Sequence, residues 1–173
     1  ALSCPVGFKN GTNGNVKIAI DAIRASKASH YFYSPDKSGR MTVYRTSGNP
    51  YGHIILRGGD KGPNFDKASV KQTCESLAEF DLPQRLIVDF SHANCQKQHR
   101  KQIEVAQDIC DQIKSGSHRI AGIMAESFII EGNQSMADID NLTYGQSITD
   151  PCLSWNDTVT MLDMLAEAVK SSK

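Results

Sequence analysis

An α/β fold with parallel strands is predicted by three features of the sequence. Short apolar runs rich in branched residues recur at 4–9, 53–57, 86–92 and 120–126. Each ends on a charged or metal-binding side chain, and each is followed by a turn and a segment with helical apolar spacing. Length and branching make such runs buried strands. A strand–loop–helix unit repeated four times sets the strands parallel, with their C-terminal ends gathered on one rim, which is the logic of a (β/α) barrel.

At 173 residues with 39% hydrophobic side chains, the chain has the length and apolar content for one domain with a real core. Formal net charge is zero and the basic residues are scattered, which argues against a nucleic-acid-binding stripe. Five cysteines, Cys4, Cys74, Cys95, Cys110 and Cys152, are odd in number and lack CxxC spacing. That argues against a disulfide framework and a zinc ribbon, and fits a reducing, cytoplasmic setting. No apolar run approaches the roughly 18 residues that span a bilayer, and the N-terminus lacks a signal-peptide pattern, so no membrane association is expected. A complete (β/α)8 TIM barrel takes about 250 residues and eight strands. This chain supplies four units and begins close to a strand, so the expectation is half a barrel with upstream sequence missing.

The first strand, residues 4–9, runs into a loop at 10–14. Val16, Ala19, Ile20 and Ile23 then recur at helical spacing and predict an amphipathic helix to about Ala28. Residues 30–33 and 41–44 are aromatic and branched and flank a Pro/Gly turn, so they read as a β-hairpin inserted into the repeat. Gly58 and Gly59 follow the second strand at once and let backbone approach a ligand closely. A helix is expected over 66–79, with Val70, Cys74 and Leu77 inward. Another is expected over 96–115, with Ile103, Ala106, Ile109, Cys110 and Ile113 inward and Gly116 as its cap. The polar stretch 127–151 is longer than a typical connection and is a candidate functional loop. Ser154 with Asp157 resembles a capping box. It opens a last helix whose expected buried face is Val159, Leu162, Leu165, Ala166 and Val169, with Trp155 packed on it.

Lys9 and Arg57 end neighbouring strands in this scheme. Two cations at one mouth, one with a planar fork, suit a phosphate or carboxylate. Either alone is better read as a strand-end residue snorkelling to water, but their shared position beside Gly11, Gly58 and Gly59 favours anion binding. His92 and Glu126 end the next two strands, and Asp150 lies in the loop beyond. An imidazole with two carboxylates suits Mn, Fe, Zn or Co and leaves positions open for a substrate oxygen. His99, on a solvated helix face, and His118, at the opposite end of the strands, are read as outside the site; Glu131, close after Glu126, reads equally as shaping the site or as part of a surface turn. Asp89 points, by alternation, away from the neighbours of His92 and pairs only with a cation.

Taken together, LSCPVGFKNGT (2–12), TSGNPYGHIILRGG (46–59), DFSHANCQKQ (89–98), ESFIIEGNQS (126–135) and YGQSITDPCLSW (144–155) closely resemble the C-terminal half of type I 3-deoxy-arabino-heptulosonate-phosphate (DAHP) synthase. The pattern around SPDKSGRMTVY and PYGH is most similar to the tryptophan-sensitive branch. The resemblance implies that residues 1–173 are the C-terminal half of a single TIM-barrel domain, with a hairpin insertion at about 29–46. It implies a metal-dependent transferase that condenses phosphoenolpyruvate with erythrose 4-phosphate and releases phosphate, the first step of the shikimate pathway to aromatic amino acids. Lys9, Arg57 and His92 would contact phosphoenolpyruvate, with Arg57 at its phosphate and Lys9 and His92 catalytic. His92, Glu126 and Asp150 would hold the divalent metal. Ser3, Phe32, Ser34 and Tyr44 would line a feedback site for an aromatic amino acid, with tryptophan the candidate.

One departure is large. The family's fourth metal ligand, a cysteine, and several phosphoenolpyruvate-binding Arg and Lys residues come from the first four strands, and neither Cys4 nor Cys95 matches that cysteine. The isolated chain is therefore expected to be inactive without the missing N-terminal half, and to form a homo-oligomer. On the residues alone two alternatives stay open. One is a non-catalytic half-barrel that binds an aromatic amino acid or a subunit through the hairpin, and the other is an aldolase acting on a different sugar phosphate.

Overall fold

The computed structural model describes residues 2, 4–137 and 139–172. Its centre is a sheet of β1 (Val6–Lys9), β4 (Gly52–Leu56), β5 (Leu86–Asp89) and β6 (Ile120–Met124), in that spatial order and parallel throughout. Between them run α1 (Lys17–Lys27), the hairpin of β2 (Tyr31–Pro35) and β3 (Met41–Arg45), α2 (Lys67–Ala78) and α3 (Gln102–Lys114). Beyond β6 come β7 (Ile130–Asn133), β8 (Gln146–Ser147) and α4 (Trp155–Ser171). Sheet order follows chain order, so a helix lies in every crossover, as parallel strands require.

One face of the sheet presents Ile54, Leu56, Leu86 and Val88, none with any exposed surface, to Ala19, Ile20 and Ile23 of α1, Val70 and Leu77 of α2 and Val105 and Ile109 of α3. Complete burial contributes about 1.5–3 kcal/mol per branched side chain, and this layer fixes which way every strand end points. On the opposite face Gly7 sits against Ile55, whose Cδ1 a Cβ at residue 7 would overlap. The glycine lets β1 close on β4. In this sheet β1 and β6 have one neighbour each.

The hairpin forms as expected, pairing Phe32 with Tyr44 and Ser34 with Thr42. Helix starts follow their caps. Asp66 accepts from the amides of Ala68 and Ser69 at α2, and Ser154 from that of Asp157 at α4. Among the described residues no helix is long and apolar enough to cross a membrane.

Two expectations fail. The helix expected from 96 begins as α3 only at Gln102, because Gln96 and Lys97 take left-handed backbone (φ 54 and 59) and a short 3-10 turn, His99–Lys101, intervenes. On α4 the buried residues are Thr158, Met161 and Ala168; of the expected face only Leu165 packs against the core, while Val159, Leu162, Val169 and Trp155 are 41–59% exposed. The helix carries two apolar stripes. Apolar spacing alone cannot say which one the described chain covers.

Candidate active site at the strand ends

At the tip of β5 the chain changes direction. Phe90 is wholly buried and holds the strand end in the core. Asp89 is also wholly buried, with Lys9 Nζ 2.8 Å from its Oδ2 and the Ser91 amide donating to its Oδ1 at 2.9 Å. His92 adopts φ 56, a strained conformation of the kind that gathers at functional sites. Strict alternation, which would send Asp89 away from His92, holds only while the chain is extended. The left-handed turn folds the imidazole back, and its Nδ1 lies 3.0 Å from Asp89 Oδ2. The approach is close but oblique to the ring N–H, so Nδ1 makes no well-aimed hydrogen bond. Asp89 thus links Lys9 to His92, which corrects the reading that it pairs only with a cation.

The other ring nitrogen, Nε2, faces Glu126 Oε1 at 3.8 Å. Ser91 Oγ donates to Glu126 Oε2 at 2.6 Å and so sets the carboxylate's rotamer. Asp150 arrives from the loop after β8, and one ligand atom from each of His92, Glu126 and Asp150 lies within 4.8 Å of the others. Among the described residues no Lys or Arg comes within ion-pair distance of Glu126 or Asp150. Two unneutralised carboxylates beside an imidazole held from its Nδ1 side by a carboxylate form a donor set that fits a divalent cation. No cysteine joins this cluster among the described residues. Cys95 is buried, with its thiol 3.5 Å from the His92 carbonyl.

A cavity of about 240 Å³ opens over the cluster, lined by Arg57, Gly58, Ser91, His92, Glu126 and Asp150 among others. Gly58 is required here. At φ 73, any Cβ would meet the Asn94 amide at 2.7 Å. Arg57 is thus brought to the same mouth as the metal-ligating types, whereas Lys9 lies beside it, tied to Asp89, and does not line the cavity.

Besides Ser91, three further residues support the site through its backbone. Asn10 donates to the Gly58 carbonyl and accepts from the Arg57 amide. Asn94 donates to the carbonyls of Leu56 and Asp89. Gln102 grips the backbone of Glu126. Asn10 directly follows the end of β1 and Asn94 lies in the turn beyond β5, where unpaired backbone groups need partners; nothing in the sequence marks Gln102.

His99 stays outside the cluster, as expected, and so does Glu131, but neither is merely solvated. Glu131 accepts from Arg100 Nε and Nη2, one on each carboxylate oxygen, and lies 3.2 Å from His99 Nε2. The Arg100 bonds lead, with His99 second, in holding its carboxyl down to about 2. His99 belongs to the 3-10 turn and not to a solvated helix face, and Glu131 lies on β7 and not in a surface turn.

A second, apolar cavity of about 350 Å³ lies between the hairpin and β1, lined by Leu2, Val6, Phe8, His30, Phe32 and Asn49 among others. Phe32 is on its wall, and Tyr44 stacks on Phe32 with centroids 5.5 Å apart. Ser34 does not line it, and Ser3 lies outside the described residues.

The family model described as the DAHP synthetase I family matches residues 1–163. The chain belongs to that family. It is 65% identical over 169 residues to the Trp-sensitive phospho-2-dehydro-3-deoxyheptonate aldolase of Escherichia coli K12, covering 98% of this chain and 48% of that protein. It is 54% identical over 171 residues to the Trp-sensitive aldolase of Buchnera aphidicola, covering 99% of this chain and 49% of the other. The solved structure of phospho-2-dehydro-3-deoxyheptonate aldolase from Francisella tularensis superposes with a TM-score of 0.93 at 47% identity, over 100% of this chain and 50% of that one. The chain therefore spans about half the length of these DAHP synthase relatives, and the resemblance of its motifs to that family holds across its length.

Proposed function

We propose that this chain is the C-terminal half of a (β/α)8 DAHP synthase that condenses phosphoenolpyruvate with erythrose 4-phosphate. The observation that carries the reading is the meeting of Arg57, His92, Glu126 and Asp150 at one cavity on the strand ends. The uncovered stripe of α4 and the open edges of β1 and β6 support a complementary half that completes the barrel. That half would bring the remaining metal ligand and cations, so the isolated chain has little or no activity. A cytoplasmic homo-oligomer is the setting we infer.

The reaction joins the methylene carbon of phosphoenolpyruvate to the aldehyde carbon of the sugar phosphate, takes up water and releases inorganic phosphate. Arg57 offers its planar fork to the phosphate of phosphoenolpyruvate; among the described residues it has no carboxylate partner to compete for it. Lys9 neutralises Asp89, which lies against Nδ1 of His92, while Nε2 faces Glu126. His92, Glu126 and Asp150 would hold a divalent ion of the Mn, Fe, Co or Zn type, which would supply polarisation of the aldehyde oxygen. Fixing two anionic substrates among cations turns an unfavourable encounter into orientation.

The apolar cavity at Phe32 is the candidate feedback pocket, with tryptophan its expected occupant and Tyr44 acting through Phe32. The test is turnover of the full-length protein. His92→Ala and Glu126→Ala should each abolish condensation and metal uptake together. Normal turnover and metal content in either variant overturns the assignment.

A further inference from the structure

We propose that Gln102 is a positioning residue for Glu126, acting through the backbone of the carboxylate ligand; this rests on the metal-site reading above. The β6 ladder ends at Met124, whose carbonyl accepts from the Phe90 amide at 2.8 Å. Two residues further on, where the chain must deliver Glu126 to the cavity, no strand neighbour remains on that side. The Gln102 side chain takes that place. Its Nε2 donates to the Glu126 carbonyl at 3.0 Å and its Oε1 accepts from the Glu126 amide at 2.9 Å. A primary amide is the side-chain type that offers a donor and an acceptor side by side, as a neighbouring strand would. The pairing also fixes which way round the amide lies.

Three observations separate this from ordinary core polarity. Gln102 has no exposed surface, and losing its Oε1 leaves the Glu126 amide without the hydrogen bond it makes here. The Glu126 carbonyl also accepts from the Leu153 amide at 2.9 Å, and Leu153 lies three residues beyond Asp150. The same peptide group therefore ties together the segments that carry both carboxylates. Ser91 then orients the Glu126 side chain. Gln102 fixes where that side chain starts, and Ser91 fixes where it ends. Metal sites depend on such outer contacts, whose loss costs about 10–100-fold in affinity.

The test is Mn2+ affinity of the full-length protein, measured by chelator competition without substrates. Gln102→Met, similar in volume but unable to make either bond, is compared with Gln112→Met on the same helix. Gln112 is 5% exposed and donates to the Phe65 carbonyl at 2.8 Å, away from the ligands. The expected result is at least a tenfold loss of Mn2+ affinity in Gln102→Met and none in Gln112→Met, although both lower the melting temperature. A folded Gln102→Met that binds Mn2+ as tightly as the unmodified protein overturns the proposal. If that variant does not fold, amide exchange of Glu126 in the unmodified protein decides: protection equal to that of the β6 amides supports it, and a free rate overturns it. Unmodified protein that takes up no Mn2+ instead removes the metal site itself.

Discussion

Nδ1 of His92 lies 3.0 Å from the buried carboxylate of Asp89, on the far side of the ring from the nitrogen that faces Glu126. That leaves Nε2, on the Glu126 side, as the ring nitrogen turned toward the candidate cation site. The same oxygen is neutralised by Lys9 at 2.8 Å. Asp89→Asn keeps the shape but removes the charge, so it should lower Mn2+ affinity of the full-length protein by about 10–100-fold. Titration of the metal into the variant checks this, and unchanged affinity would mean that Asp89 is only a counter-ion for Lys9.

Arg57→Lys preserves the charge at the cavity mouth and loses the fork. The apparent affinity for phosphoenolpyruvate should fall by about tenfold or more, since a charge-assisted hydrogen bond contributes roughly 1.5–3 kcal/mol. Steady-state kinetics of the full-length protein show this as a raised KM for phosphoenolpyruvate with metal content unchanged.

The clamp of Glu131 by Arg100 and His99 has a pH signature. Its carboxyl is held at about 2 against an ordinary 4.5, so the stabilisation is fully present above about 4.5 and is lost as the pH falls through about 2. Glu131→Gln should therefore melt below the unmodified protein at pH 7, with the gap narrowing by pH 3 and in high salt. Thermal unfolding at the two pH values measures it.

Removing a helix cap tests the fold apart from the site. Asp66 carries the first turn of α2 on two amide bonds, and Asp66→Ala should cost about 1 kcal/mol. Denaturant unfolding reads that loss, and metal affinity should not move.

Particular elements show what the sequence makes legible. β1 to β6, α1 and α2 follow from apolar runs because local spacing decides them, whereas β7 and β8 lie in the polar stretch 127–151 that reads as a loop. The strand-end residues Arg57, His92 and Glu126 were found because parallel strands must discharge their ends on one rim. The start of α3 was placed too early because left-handed backbone at Gln96 and Lys97 has no signature in those residue types. On α4 both stripes are apolar, so spacing finds Leu165 but not Met161 as a residue facing the core. Asp89 and Gln102 were missed as parts of the site because their roles depend on contacts between distant segments, Lys9 with Asp89 and Gln102 with Glu126.

The most direct measurement is an anomalous-scattering map from crystals of the full-length protein grown with Mn2+. The expected result is one strong peak bonded to His92 Nε2 and to carboxylate oxygens of both Glu126 and Asp150. A peak bonded elsewhere, or none at these three side chains, would contradict a metal centre at the ends of β5 and β6.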